Sequence, residues 1–267
     1  VTDHCALLRF HGDIRRLLDP GSRHGVRTPR AERLRARETG LVRYPALRSA
    51  SLKDAIEALG IPHTEIGSLR IDGVEVDFRH PLTAGTTCDV FAQPMPEDVT
   101  APSLLRPEPF SGVLFVVDVN VARLGTLLRL LGLDAAPPPD GDDAAIAALA
   151  ARERRIVLTR DTALLKRKAV IRGRLLRAAA PEDQLAEVLD HFGIHGPFAP
   201  FSRCLRCNVP LAPVPKADVL HRLEPLTRIH YDSFHICPRC ERVYWPGSHH
   251  EAMLARLSRL GLLRSED

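Results

Sequence analysis

Val113-Leu114-Phe115-Val116-Val117-Asp118 is a run of five apolar residues closed by a carboxylate, and its reading decides the fold of the middle of the chain. A strand covered on both faces needs apolar side chains on both sides of its pleat. It therefore reads as a continuous run rather than an alternation, and such strands belong to parallel sheets. Downstream, Ile156-Val157-Leu158-Thr159-Arg160-Asp161 repeats the pattern, again with an Asp at the strand's carboxyl end. Between them, Leu124, Leu127, Leu128 and Leu131 keep helical spacing up to Gly132, and Pro137 to Pro139 break the chain. Asp142 and Asp143 stand where a helix cap belongs, ahead of Ile146 and Leu149. A further helix spans about Pro181 to Phe192, with proline in its first turn and acids beside it. Strand and helix alternate, so residues 113–197 are expected to form an α/β domain on a parallel sheet.

Outward from this core the chain changes character twice. Residues 93–112 carry prolines 94, 96, 102, 107 and 109 with little apolar periodicity, which predicts an extended, semi-rigid linker. Residues 1–92 read as a strand-rich domain around one helix. Ala6–Phe10 and Leu41–Leu47 are candidate strands, and Ser51 caps a helix bearing Leu52, Ala55, Ile56 and Leu59. Leu69–Ile71 and Val74–Phe78 flank the tight-turn pair Asp72-Gly73, and Cys88–Ala92 supplies a last strand. Two strands, a helix and more strands is the β-grasp order. The Arg- and Gly-rich residues 19–39 show no periodicity and are expected to form a basic loop. Residues 198–267 begin after the punctuation Gly196–Pro200 and hold two C-x-x-C pairs.

With 267 residues and 45% apolar composition, the chain can bury more than one core, which excludes wholesale disorder. No stretch approaches the ~18 apolar residues of a membrane helix, and Val1–Phe10 lacks a signal-peptide pattern, so a soluble, cytoplasmic chain is expected. The net charge of +4 is small, but it is unevenly spread. Arg152 to Arg177 holds ten Lys/Arg against Glu153 and Asp161, and Val1 to Arg48 holds eleven Arg against five acids. Such stretches suit either phosphate recognition or a solvated face.

Two chemistries stand out. In open α/β sheets ligands collect at the carboxyl ends of the strands, where Asp118 and Asp161 stand and where Asp142 or Asp143 can reach. Carboxylates converging there repel one another unless a hard cation joins them, and Mg²⁺ or Mn²⁺ suits such a set and suits phosphodiester hydrolysis. Each Asp taken singly reads rather as a helix cap or turn residue, and it is three at such positions that point to a site. In the last part, Cys204-x-x-Cys207 and Cys237-x-x-Cys240 are separated by 29 intervening residues, which places two thiolate pairs on two knuckles. Four thiolates close a tetrahedral site with no open position, so one structural Zn²⁺ is expected. His235, His249 and His250 lie nearby as surface or nucleic-acid contacts rather than ligands. Tyr231, Phe234, Tyr244 and Trp245 are concentrated here in an aromatic-poor chain, as a small core or as a stacking platform for unpaired bases.

Phe115-Val-Val-Asp118, the Leu124–Gly132 helix, Asp142-Asp143, Ile156–Asp161, the two cysteine pairs and Arg242-Val-Tyr-Trp-Pro-Gly247 together resemble one family. It is the PIN-like RNase family named for the C-terminal domain of the Mut-seven exonuclease, which joins a PIN-like nuclease fold to a zinc ribbon. The likeness covers about residues 113–257 and implies a zinc ribbon and a C-terminal helix over 198–267. Ala55 to Thr64 and Asp72 to Asp77 are similar to the ubiquitin-like β-grasp module that precedes it in bacteria. The resemblance implies metal-dependent RNA cleavage with acidic residues at Asp118, Asp143 and Asp161. It departs after the first Asp, where Asn120–Thr126 lacks the family's Met-Leu-Gly start while Arg123 keeps the basic position. RNA, tRNA in particular, is the expected partner, with Arg123, Arg160, Lys166, Arg167 and Lys168 as candidate phosphate contacts. The alternative from another class is a non-catalytic RNA-binding protein with a vestigial acidic site. A carrier or tag role for the first domain needs a free Gly-Gly tail, whereas its last strand runs on into Gln93-Pro94.

Overall fold

The computed structural model describes residues 4–19, 30–46, 50–140 and 142–262. The N-terminal part contains β1 (Cys5–His11), α1 (Arg30–Thr39), β2 (Leu41–Pro45), α2 (Leu52–Ala58), β3 (Ile66–Ile71), β4 (Val74–Glu75) and β5 (Thr87–Ala92). Its sheet runs β2-β1-β5-β3-β4, with β1 antiparallel to β2 and parallel to β5, which is the expected β-grasp arrangement. The Ser51 hydroxyl accepts the N–H of Asp54 and so caps α2, whose Leu52, Ala55 and Ile56 enter the core. Asp72 and Gly73 both take positive φ, as a two-residue hairpin requires.

Two local readings change. β4 ends at Glu75 rather than Phe78, because the Asp77 carboxylate accepts the N–H of Arg79 at 2.9 Å and turns the chain. The expected loop over 19–39 includes a helix, α1, which buries Ala36. Arginine is a good helix former, and α1 is tied down by Arg37 Nε donating to the Leu18 carbonyl at 2.8 Å. Residues 20–29, and Leu47 of the second candidate strand, lie outside the described residues.

Residues 93–112 form no helix or strand, yet they are anchored by packing. Val99 and Phe110 are buried, and the buried Arg106 guanidinium donates to the carbonyls of His63, Thr64 and Ile66. Burial lowers its pKa to about 10.

Beyond them come β6 (Phe115–Val117), α3 (Ala122–Leu130), β7 (Ala135–Ala136), α4 (Asp143–Glu153), β8 (Ile156–Thr159), α5 (Thr162–Leu165), β9 (Gly173–Leu175) and α6 (Pro181–Phe192). The C-terminal part adds β10 (Ala212–Val214), α7 (Lys216–Val219), α8 (Pro225–His230), β11 (Phe234–Ile236), β12 (Val243–Tyr244) and α9 (Ser248–Arg259). The chain divides into two compact units, Val1–Val113 with Asp140–Leu176, and Leu114–Pro139 with Arg177–Asp267.

In the first unit β8 and β9 pair in parallel, with Val157 opposite Gly173. This piece shares buried polar contacts with the β-grasp domain. Arg174 pairs with Glu65 at 2.8 Å, and the second Glu65 oxygen accepts the N–H of Leu175 at 2.8 Å. Arg172 pairs with Glu97, and Lys166 Nζ donates to the Glu57 carbonyl at 2.8 Å. The buried His63 ring lies between the Glu57 carboxylate at 2.7 Å and the Val170 carbonyl at 2.8 Å.

In the second unit β6 and β7 pair in parallel, and Phe115 meets Phe192 edge-on at 5.5 Å. Gly132 closes α3 at φ 88, where a Cβ would lie 2.5 Å from the Ala199 carbonyl oxygen. The antiparallel sheet β10-β11-β12 covers a small core of Val219, Leu223 and Phe234. No helix among the described residues is long and apolar enough to cross a membrane.

Candidate functional site

The two cysteine pairs fold into equivalent turns. In one, Cys204 N–H donates to the Val209 carbonyl and Asn208 N–H to the Cys204 carbonyl. In the other, Cys237 N–H donates to the Arg242 carbonyl and Glu241 N–H to the Cys237 carbonyl. Asn208 and Glu241, each following the second cysteine of its pair, both take positive φ, at 66 and 57. The N–H groups of Cys207 and Cys240 point at the sulfurs of Cys204 and Cys237, at 3.3 and 3.5 Å.

The four sulfurs lie within 4.8 Å of one another, and Cys204 Sγ is 3.7 Å from Cys240 Sγ. A tetrahedral ion with Zn–S bonds of about 2.3 Å sets neighbouring sulfurs about 3.8 Å apart, so the cluster fits Zn²⁺. Burial opposes ionisation of Cys204, but the Tyr244 hydroxyl and the N–H groups of Cys207 and Arg206 outweigh it and bring that thiol to about 6. Burial and the sulfurs of Cys240 and Cys204 push Cys207 up to about 12. Four crowded thiols cannot all ionise unaided, and a divalent cation removes that obstacle. All four expected ligands are therefore brought together.

Sequence reasoning does not reach the surroundings of this cluster. Tyr244 holds its hydroxyl 3.2 Å from Cys204 Sγ and accepts the N–H of Leu205 at 3.1 Å. Arg129 of α3 donates to the Leu205 carbonyl at 2.7 Å. The four aromatics divide by role: Phe234 is buried, Tyr231 packs beside it, Tyr244 serves the cysteines and Trp245 stays 36% exposed.

The candidate acidic residues each have a local job. Asp118 is buried after β6, its oxygens accepting from Val119 N–H and Asn120 Nδ2, both at 2.6 Å. Asp142 caps α4 through Oδ1, accepting from Ala144 and Ala145. Asp143 is half-buried and lies 3.9 Å from the Arg167 guanidinium. Asp161 caps α5 through Oδ1, accepting from Ala163 N–H at 2.7 Å, and Oδ2 has no partner among the described residues. Asp118 belongs to the second unit, Asp143 and Asp161 to the first. Among the described residues, the cysteines are the one group of three or more potential ligands whose donor atoms all lie within 4.8 Å.

Of the candidate phosphate contacts, Arg123, Arg160 and Lys168 are exposed. Lys166 is half-buried with its ammonium on the Glu57 carbonyl, and Arg167 faces Asp143. The Arg152–Arg177 stretch is less basic in space than in sequence. Arg172 and Arg174 are buried on Glu97 and Glu65, and Arg154 pairs with Glu108 at 3.0 Å.

Two family models match the chain, one described as the Mut7-C RNAse domain over residues 113–257 and one as Mut7-C ubiquitin over residues 6–99. No curated protein and no solved structure matches it.

Proposed function

The chain belongs to the Mut7-C RNAse domain family, and on that premise we propose that it is a metal-dependent ribonuclease acting on structured RNA such as tRNA. The observation that carries the reading is the family match over a segment in which Asp118 directly follows one short buried parallel strand and Asp161 comes two residues after another. The carboxylates suit a hard cation. Asp143 and Asp161 keep oxygens without a hydrogen-bond donor among the described residues, and Asp118 is held in one orientation by two short donors.

Asp118, Asp143 and Asp161 are the acidic residues that would serve Mg²⁺ or Mn²⁺. When bound, the cation makes water a better nucleophile and offsets charge on the phosphate. Val119 N–H and Asn120 fix the Asp118 carboxylate so that ligation needs no reorientation. Exposed Arg123, Arg160 and Lys168 meet the RNA phosphates, with Arg167 set beside Asp143.

Asp118→Asn keeps the shape and removes the charge. It should abolish Mg²⁺/Mn²⁺-dependent cleavage while leaving RNA affinity equal or higher, because one negative charge beside phosphate is gone. Gel assays on total cellular RNA and filter binding read the two effects. If the wild type cleaves no cellular RNA with either metal yet binds it, the chain is an RNA-binding protein and the carboxylates are caps.

A further inference from the structure

Trp245 stands between two hollows on the C-terminal sheet. One, of about 420 Å³, is walled by Phe201, His235, Tyr244, Trp245 and His250. The other, of about 320 Å³, joins Trp245 to Arg206, Arg222 and Arg242. Both volumes fall in the span of about 300–1,000 Å³ typical of small-molecule sites.

The aromatic wall is built rather than incidental. His250 stacks on Phe201 with centroids 3.9 Å apart and planes 26° apart, and burial lowers its pKa and favours a neutral ring. Trp245 leans on the buried Phe234 at 6.4 Å and lies across Gly247. A Cβ on Gly247 would come 2.7 Å from the indole nitrogen, so the Trp-Pro-Gly sequence is what lets the indole sit there. The Trp245 indole N–H and the exposed His235 ring have no hydrogen-bond partner among the described residues, which leaves polar edges inside an aromatic hollow.

The arginine hollow supplies the complementary charge. None of Arg206, Arg222 and Arg242 forms an ion pair with a carboxylate among the described residues, and Arg222 donates to the Glu241 carbonyl. Flat rings with free donors call for a planar heterocycle, and adjoining guanidinium groups call for a phosphate. A nucleotide carries both. We propose that this face is a mononucleotide subsite: an unpaired RNA base stacks in the aromatic hollow against Trp245 while its phosphate lies against Arg206, Arg222 and Arg242. The proposal rests on the RNA-directed reading above and adds the place where a single-stranded nucleotide is gripped.

Trp245 is the sole tryptophan, so its fluorescence in the full zinc-loaded chain reports the site directly. Titration with AMP, GMP, CMP and UMP should give saturable quenching, with ribose 5-phosphate as the control lacking a base. His235→Ala, at an exposed position, should weaken binding about fivefold or more. Trp245→Leu, followed by anisotropy of a labelled six-nucleotide single strand, should lose roughly 5- to 150-fold, the span of one base–aromatic stack, and Trp245→Phe should restore most of it. Arg222→Gln/Arg242→Gln should weaken AMP but not adenosine. Zinc content, measured for every variant, should stay near one per chain.

Absence of saturable quenching by all four nucleotides overturns the proposal, as does equal quenching by ribose 5-phosphate. So do arginine variants that lose zinc with unchanged AMP affinity, because the guanidinium groups would then serve only the thiolate charge. Binding by an acidic protein in place of nucleotides would mark a protein interface instead. None of these readings depends on cleavage, so failure of the nuclease proposal and failure of this one are separable.

Discussion

Glu65→Gln tests how firmly the β-grasp domain is joined to the β8–β9 piece. Both Glu65 oxygens are used, one by Arg174 at 2.8 Å and one by the N–H of Leu175 at 2.8 Å, and the side chains are 1% and 9% exposed. Glutamine keeps the shape and one carbonyl for Leu175, but it turns an N–H toward the guanidinium and takes away the carboxylate charge it pairs with. Breaking a buried pair from one side costs about 3–5 kcal/mol. In a unit of this size each kcal/mol moves the melting temperature by about 2–4 °C, so a fall of about 6–20 °C is expected.

Calorimetry of the zinc-loaded chain measures this, and a second variant isolates the cause. Glu65→Leu/Arg174→Met removes both charges into an apolar setting, where such replacement is close to neutral. It still orphans the Leu175 N–H, worth about 1–3 kcal/mol. The double variant should therefore melt above Glu65→Gln and somewhat below wild type. A Glu65→Gln chain that melts within 2 °C of wild type, or a double variant no better than the single, would refute the reasoning.

Metal analysis of protein purified without added zinc should find one Zn²⁺ per chain, and Cys204→Ser should lose it together with protection of the C-terminal sheet from hydrogen exchange. Full free-thiol reactivity of all four cysteines with no metal bound would contradict this. The Arg256 guanidinium donates to Glu182, at 3.0 Å through Nε, and holds that carboxyl below its ordinary 4.5. A depressed folded-state pKa contributes stability that is complete above about 4.5 and lost as pH falls through the lowered value. Exchange protection of α9 should therefore drop in that acid window, and Glu182→Gln should abolish that pH dependence.

Signals confined to a few neighbouring residues were legible in the sequence. The apolar runs around Phe115 and Val157 became parallel strands because burial on both faces leaves no polar alternation. Ser51, Asp72-Gly73 and the cysteine pairs act within one turn of chain, so composition alone announces them. Pairings across long separations were not legible. The arginines at 172 and 174 read as a basic surface, yet their acids sit 75 and 109 residues earlier, at Glu97 and Glu65. Arg106 inside a proline-rich stretch gave no sign that it would be buried on three carbonyls. Of the acidic candidates, spacing pointed to the helix start but could not divide Asp142 from Asp143. The cap hydrogen bonds separate their local jobs, since Asp142 accepts from Ala144 and Ala145 and Asp143 does not.

The same long-range pairs bear on what the ubiquitin-like domain is for. A carrier or tag of that fold must present a free tail and separate from its neighbours intact. Here β5 runs directly on into residues 93–112, whose Arg106 and Phe110 are buried in the same unit. Glu57, His63 and Glu65 are buried against Lys166, Val170 and Arg174, which follow Asp161 in the RNase segment. Pulling the domain away would break these buried hydrogen bonds and ion pairs and open the surface they close off to water. The domain is thus bonded to the chain that leads from Asp161 through α5 to β9. Any movement of that segment must be shared by the β-grasp domain.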